Sequence, residues 1–211
     1  MKKTLVHNLI ILDESGSMGS VYDATINGFN NFLKNIKTSA EEFPDQEHKV
    51  SFVSFNANSI RYIAENVVTN AVPVLTRNNY RPAGGTPLFD AIGVAVNRLR
   101  YRTEYFPEMK VLVSIFTDGF ENASTEFTAK SVSSLVLSLE KKGWTFTYIG
   151  TGHDITDASN YLKIKNIMSF TKSKKGIDTM FDAELRKRRE FYSNISLGRK
   201  DNSKDYFDGE K

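Results

Sequence analysis

One stretch constrains the fold of this chain more than any other. Residues 5–12 form an almost continuously apolar run that stops at Asp13. A strand with one face in water alternates apolar and polar residues, so a continuous run indicates a strand that is covered on both faces. The run therefore predicts an α/β domain, in which helices lie on both faces of a mostly parallel sheet.

The rest of the chain alternates between short apolar strands and segments with apolar residues at helical spacing. The turn residues 56–59 predict that the second and third strands pair as a hairpin. The length of 211 residues suits one domain, which we place at 1–193, followed by a polar tail at 194–211. We predict further strands over 50–55, 60–67, 111–116, 144–149 and 164–170, and helices over 22–36, 87–99, 128–142, 155–162 and 177–192.

Composition narrows the possible functions. The formal net charge of +3 does not require a nucleic-acid or membrane partner. The chain has no cysteine, so disulfides and thiolate metal ligands are excluded. No apolar stretch approaches the roughly 20 residues that span a bilayer. The first apolar run is broken by His7 and Asn8 and lacks a small-residue cleavage site, so we expect no signal peptide and a cytoplasmic location.

Two aspartates follow two of the predicted strands. Asp13 comes directly after the first strand, and Asp118 follows the strand at 111–116. Parallel sheets bind ligands beyond the carboxyl ends of their strands, at the point where the strand order reverses. If these strands flank that point, the two carboxylates face each other. Ser15, Ser17 and Thr86 lie in loops at the same edge, and this all-oxygen set is what a hard divalent cation prefers.

Each of these residues also has a simpler explanation. Ser17 and Thr86 could cap helices, Asp118 with the next glycine could form an ordinary turn, and Asp13 could form an Asx turn. Their occurrence together on three loops of one edge favours a metal site. Two carboxylates only neutralise a divalent ion, so the ion would keep a position for an incoming carboxylate of a partner.

The five residues resemble the metal-ion-dependent adhesion site of von Willebrand factor A (VWA) domains. Asp13, Ser15 and Ser17 match its Asp-x-Ser-x-Ser motif, Thr86 its lone threonine and Asp118 its second aspartate. The likeness covers about residues 5–192. It implies a Rossmann-like, doubly wound, six-stranded sheet in the order 3-2-1-4-5-6 with an antiparallel edge strand. It also implies a site for Mg²⁺ or Mn²⁺, with Ca²⁺ as a further candidate.

The resemblance also implies a class of function. The segments "GGTPLFDAIG" and "TDGFENAS" are typical of the small, free-standing prokaryotic members of the family. Similarity to them implies a protein-binding module without enzymatic activity, which uses its metal to bind an Asp or Glu of a partner protein. Such members often act beside ATPases or in stress-response and phage-related complexes, so we expect a partner of that kind.

A Mg²⁺-dependent phosphotransferase or phosphatase is the alternative. Enzymes of the haloacid dehalogenase type also place an aspartate after the first strand of such a sheet. They need a second acid two residues further on, where this chain has Ser15, and a lysine near the phosphate, which the sequence does not identify. A dinucleotide motif and a serine-hydrolase motif both fail around Gly16 and Ser17.

Other residues near the expected edge are weaker candidates. His153, Asp154 and Asp157 follow the strand at 144–149, and we favour a surface loop over a role in the site. Glu121 and Asn122 come shortly after Asp118 and are candidates for supporting contacts with the site residues.

Two further charged positions receive a structural interpretation. Glu14 stands at the variable position of the Asp-x-Ser-x-Ser motif, and we expect it to face solvent. The charged segment "RKRRE" at 186–190 lies in the last predicted helix, and we interpret it as a solvated face rather than a site for an acidic partner.

Overall fold

The strands form one six-stranded sheet. The computed structural model describes residues 3–151, 158–199 and 206–207. The strands are β1 (Thr4–Asp13), β2 (Gln46–Asn56), β3 (Ser59–Val68), β4 (Lys110–Phe116), β5 (Trp144–Thr151) and β6 (Asn166–Phe170). Their order is β3-β2-β1-β4-β5-β6, and β3 is antiparallel to β2 whereas the other pairs are parallel. The predicted strand order and hairpin are confirmed.

Helices cover both faces of this sheet. They are α1 (Tyr22–Glu42), α2 (Leu88–Thr103), α3 (Ala129–Glu140) and α4 (Lys174–Ser196). One apolar cluster joins α1 and α4 to the first face, where Phe29 of α1 and Phe181 of α4 have ring centroids 6.1 Å apart. A second cluster joins α2 and α3 to the other face. Alternate residues of β1 point into the two clusters, which explains why the run at 5–12 is apolar apart from His7 and Asn8.

The predicted bounds differ from the structure where polar residues continue an element. β2 begins at Gln46 rather than residue 50, because its polar first residues still pair with β1, starting at Thr4 opposite Gln46. The helix predicted at 155–162 is described only as a single π-helical turn over Ala158–Leu162, and its first residues lie outside the described part of the chain. No helix of the described residues is long and apolar enough to cross a membrane.

The end of the chain packs against the domain. Helix α4 continues past residue 193 to Ser196, and Ile195 contributes to the first apolar cluster. Tyr206 and Phe207, which lie in the predicted polar tail, are buried in the same cluster. The backbone N–H of Tyr206 donates a hydrogen bond to Asn166 Oδ1 at 2.9 Å. Part of the segment assigned to the tail is thus in the core.

The charged segment at 186–190 is not a uniformly solvated face. Arg188 is completely buried and forms an ion pair with buried Glu184, with 2.6 Å between Nη2 and Oε1. It also donates to Asn8 Oδ1 at 2.6 Å and to Ser114 Oγ at 2.7 Å. The prediction is wrong for Arg188, because this residue lies one turn after Glu184 on the face of α4 that contacts the sheet.

Candidate metal centre

The fold brings the five predicted residues to one edge of the sheet. Asp13 is the last residue of β1, and Asp118 follows the end of β4 by two residues. These strands are neighbours at the point where the sheet order reverses. Ser15 and Ser17 lie in the segment that leaves β1, where Ser15 precedes the short 3-10 helix Gly16–Val21 and Ser17 lies in it. Thr86 lies in the loop before α2. Three loops therefore supply the five side chains. This agrees with the rule that parallel sheets bind ligands beyond the carboxyl ends of their strands, which we call the carboxyl-edge rule.

Direct contacts connect four of the five residues. Ser17 Oγ donates to Asp118 Oδ1 at 2.5 Å and lies 3.1 Å from Ser15 Oγ. The backbone N–H of Ser15 donates to Asp13 Oδ1 at 2.6 Å, so the Asx turn considered as a simpler explanation is present within the cluster. The same loop conformation therefore forms the Asx turn and brings Asp13, Ser15 and Ser17 together.

Gly119 is surrounded by oxygen atoms from the other loops. A Cβ atom placed on Gly119 would lie 3.2 Å from Thr86 Oγ1, 3.3 Å from Ser17 Oγ and 3.9 Å from Asp13 Oδ2. This geometry joins Thr86 to the cluster. It also identifies a point beside Gly119 on which oxygens of two other loops converge and which a larger residue at 119 would occupy.

The chemistry of the cluster suits a hard cation. Its two carboxylates and three hydroxyls offer only oxygen, the ligand atom that Mg²⁺, Mn²⁺ and Ca²⁺ prefer. Asp118 Oδ2 is buried and accepts no hydrogen bond from the described residues, so one oxygen still lacks a donor. The described residues hold no group of three or more His, Cys, Asp or Glu side chains that could hold a metal. A metal at this edge would therefore rely on the hydroxyls.

Burial raises the pKa of Asp13 to about 6. The side chain has no exposed surface, and the nearby Asp118 carboxylate adds to the rise, whereas hydrogen bonds from Thr117 and Ser15 oppose it. Burial and a second carboxylate both disfavour the ionised form, and a bound cation reverses that preference. The electrostatics of the cluster therefore favour a positive charge at this point.

Two residues that the sequence analysis missed orient Asp13. Thr117 Oγ1 donates to Asp13 Oδ2 at 2.6 Å, and the Tyr80 hydroxyl donates to the backbone oxygen of Asp13 at 2.8 Å. The parallel register pairs Leu12 with Phe116, which places Thr117 beside Asp13. Strand register was thus a signal for Thr117, whereas Tyr80 lies in a loop whose course no local pattern predicts.

The loop that carries Thr86 is fixed by the loop after β4. Asn122 Oδ1 accepts from the backbone N–H of Thr86 at 2.8 Å, and a Cβ atom on Gly85 would lie only 2.6 Å from that oxygen. Glu121 accepts from the backbone N–H of Phe89 at 2.8 Å. Both residues named as supporting candidates thus hold the two loops together beside the cluster.

Glu14 is buried rather than solvent-facing, so that prediction is wrong. Its side chain is 2% exposed, and its Oε2 lies 2.5 Å from Nη2 of Arg61 on β3. Its Oε1 accepts from the backbone N–H of Arg81. The hairpin that brings β3 beside β2 places Arg61 within reach. Glu14 consequently ties β1 to β3 and to the loop that leads to Thr86.

A further residue reaches the cluster from β6. Lys172 follows the carboxyl end of β6, and its Nζ lies 3.1 Å from Asp118 Oδ2, which is an ion-pair distance without hydrogen-bond geometry. The carboxyl-edge rule that selected Asp13 and Asp118 applied to β6 as well, so this lysine could have been found from the sequence. His153, Asp154 and Asp157 lie outside the described residues.

Comparison with known proteins identifies the fold. No family model and no curated protein matches the chain. Proximal thread matrix protein 1 (PTMP1) from the mussel byssus is similar at 18% identity and a TM-score of 0.59, over 87% of this chain and 46% of that chain. The chain thus spans about half the length of PTMP1. Another structure of PTMP1 has zinc in its metal-ion-dependent adhesion site (MIDAS) motif.

Two separate VWA-type domains are also similar. The vWF domain of the type V pili tip protein Mfa5 from Porphyromonas gingivalis shares 12% identity at a TM-score of 0.59, over 94% of this chain and 97% of that one. The SpRpn10 VWA domain shares 14% identity at a TM-score of 0.52, over 84% and 94% of the two chains. The chain therefore has the von Willebrand factor A fold, which confirms the predicted fold class.

Proposed function

We propose that this protein is a divalent-metal-dependent protein-binding module. In this proposal Asp13, Ser15, Ser17, Thr86 and Asp118 hold one Mg²⁺ or Mn²⁺ ion, with Ca²⁺ as a weaker substitute. The observation that carries the proposal is the convergence on Gly119, directly after Asp118, of oxygens from the segment after β1 and from the Thr86 loop. The occurrence of zinc in the MIDAS motif of PTMP1, a protein with the same fold, supports the presence of a divalent metal.

The charge of the site supports an acidic ligand. Asp13 and Asp118 balance a divalent ion, and the hydroxyls add no charge, so the ion remains an attractive target for an anion. Ser17 and the neighbouring Gly16 are exposed, which leaves the cluster accessible from solvent. We propose that an Asp or Glu of a partner protein supplies the remaining ligand. An ATPase or a stress-response or phage-related complex in a prokaryotic cytoplasm is the proposed setting, without a nucleic-acid or membrane partner.

The phosphotransferase alternative has one observation in its favour and two against it. Lys172 provides a lysine at the correct edge, which such an enzyme requires. However, Asp13 is fully buried and both of its carboxylate oxygens accept hydrogen bonds, from Ser15 and Thr117. Hydrogen bonds to both oxygens lower the nucleophilicity of a carboxylate, and the acid expected two residues on is Ser15. A binding module without enzymatic activity remains the proposal.

Metal titration tests the site. Calorimetry with Mn²⁺ and with Mg²⁺ should show one site in the unmodified protein and none in Asp13→Ala. Asp23→Ala is the matched control, because Asp23 is an exposed aspartate whose side chain pairs with Arg77 outside the cluster. Unchanged metal binding in Asp13→Ala would contradict the assignment.

An activity assay separates the two classes of function. We expect no Mg²⁺-dependent release of phosphate from a small phosphomonoester such as p-nitrophenyl phosphate. Turnover that disappears in Asp13→Asn would favour the phosphotransferase. For the binding module, affinity for the purified partner should be abolished by EDTA and by conversion of one partner acid to its amide.

A further inference from the structure

Lys172 is held in place at the edge of the candidate metal site. It lies between β6 and α4, in a turn in which the backbone N–H of Ser173 donates to Thr171 O at 2.7 Å. Ser173 also caps α4, because its Oγ accepts from the backbone N–H of Gly176 at 3.0 Å. The turn is thus fixed on both sides of Lys172. Its side chain is 38% exposed, so solvent reaches it.

The partner of this ammonium is an otherwise incompletely satisfied carboxylate. The Asp118 side chain has no exposed surface, and its Oδ1 accepts from Ser17 Oγ at 2.5 Å. Its Oδ2 accepts no hydrogen bond from the described residues and lies 3.1 Å from Lys172 Nζ. A cation of the chain itself therefore stands at the oxygen that a metal, or a water bound to it, would use.

We propose that Lys172 is a tethered counter-ion of the metal site, which pairs with Asp118 until a divalent ion displaces it. The inference rests on the proposed function, because it requires a metal at the cluster formed by Asp13 and Asp118. Its consequence is that Lys172 has two opposite effects. It stabilises the metal-free protein by offsetting one carboxylate, and it weakens metal binding by competing for that carboxylate.

The physical basis is the repulsion between two cations that share one carboxylate. A lysine ammonium carries a single charge on a flexible four-carbon stem, so it can withdraw when a doubly charged ion binds. The exchange requires breaking the contact between Nζ and Asp118 Oδ2, which lowers the apparent affinity for the ion. Because the ammonium is partly exposed, salt screens the interaction and reduces the effect. Lys172 thereby sets the metal concentration at which the site fills.

Removal of the charge tests the inference. Lys172→Met keeps most of the stem and removes the ammonium, and Lys172→Arg keeps a positive charge. Lys175→Met is the matched control, because Lys175 is an exposed lysine three residues further on, in the first turn of α4. The probe is Mn²⁺ alone, titrated by calorimetry at low and at high ionic strength. The melting temperature in chelator reports the metal-free state.

We expect the Mn²⁺ dissociation constant of Lys172→Met to fall by about three- to tenfold at low salt. We also expect its metal-free melting temperature to fall. Lys175→Met should match the unmodified protein in both measurements, and Lys172→Arg should stay close to it. A structural role alone would not tighten metal binding while it lowers stability, so the opposite signs identify a counter-ion.

The outcomes distinguish this inference from the proposed function. Equal or weaker Mn²⁺ binding in Lys172→Met overturns the counter-ion and leaves the metal site intact, provided that Asp13→Ala still abolishes binding. Absence of Mn²⁺ binding in both the unmodified protein and Lys172→Met overturns both. Binding that is detected only in Lys172→Met supports both. If Lys172→Met does not fold, Lys172→Gln is judged by the same criteria.

Discussion

At the scale of single residues, the candidate metal site depends on a position without a side chain. Gly119 follows Asp118 directly, and its α-carbon faces hydroxyls from two other loops. Metal sites of this type are sensitive to small displacements, because their hydroxyl ligands bind weakly and must all reach one ion. In the proposed metal site, the missing side chain at position 119 leaves the space that the ion would need.

Gly119→Ala tests this dependence. The new methyl group would lie 3.2 Å from Thr86 Oγ1 and 3.3 Å from Ser17 Oγ, closer than side chains normally approach. We expect Mn²⁺ affinity to fall by on the order of tenfold or more, with a small change in melting temperature. Gly19→Ala is the matched control in the same region, since nothing lies within 4 Å of a Cβ atom there. Equal losses of affinity in the two variants would contradict the argument.

At the scale of elements, a buried polar network attaches α4 to the sheet. Arg188 of α4 pairs with Glu184 and donates hydrogen bonds to Asn8 of β1 and Ser114 of β4. The Tyr192 hydroxyl donates to the same Asn8 oxygen at 2.6 Å. These contacts join the last helix to the two strands that end at Asp13 and Asp118. The network therefore fixes the position of α4 relative to the strands that carry the site.

Removal of Arg188 should destabilise the fold strongly. Arg188→Met leaves the Glu184 carboxylate buried without its cation, and breaking a buried pair in this way costs about 3–5 kcal/mol. The double variant Arg188→Met with Glu184→Met should recover part of this loss, because no charge remains unpaired. Urea denaturation measures the free energies of unfolding of the unmodified protein, the single variant and the double variant.

Arg189→Met is the control for this prediction. Arg189 is exposed and pairs with Glu42 at 2.7 Å on the surface, so we expect its loss to change stability by less than about 1 kcal/mol. A similar cost for the two arginines would show that burial of the Arg188 pair does not decide its contribution.

At the scale of the whole molecule, the sequence predicted the features that depend on the strands and on the residues that follow them. The apolar run before Asp13 requires helices on both faces, and the carboxyl-edge rule then brings Asp13 and Asp118 together. Contacts that depend on the course of loops were not predictable in the same way. Glu14 was expected to face solvent because nothing in the local pattern indicates that Arg61 and the backbone of Arg81 reach it.

The wrong prediction for Arg188, that it faces solvent, has a different origin. Arg188 lies within a run of charged residues, so composition indicated solvent, whereas its spacing from Phe181 and Glu184 placed it on the buried face. A long side chain can be buried when several acceptors surround it, and those acceptors come from β1 and β4. The sequence shows the acceptors but not their convergence, so the network needed the tertiary structure.

Two buried histidines should make the whole fold acid-sensitive. Burial lowers the pKa of His7 to about 3 and that of His48 to about 4, and nearby cations add to the effect. Above pH 6.5 both are neutral in the folded and the unfolded chain. As the pH falls below 6.5, the unfolded chain binds protons that the folded protein does not, so stability falls until the folded pKa is reached.

His48→Phe should reduce this acid sensitivity. His48 packs against Tyr192 at 4.4 Å between ring centroids, and its ring nitrogens have no hydrogen-bond partner in the described residues, so a phenyl ring suits the position. Between pH 7 and pH 5 the unmodified protein should lose about 1–2 kcal/mol more than the variant. Asp13 has the opposite effect, because its pKa is raised from 3.8 to about 6 and the folded protein binds its proton first as the pH falls. Its contribution to the free energy of unfolding therefore increases over the same acidification, but equally in both proteins. The difference between their urea-unfolding profiles in metal-free buffer therefore isolates His48, and parallel profiles would contradict the prediction.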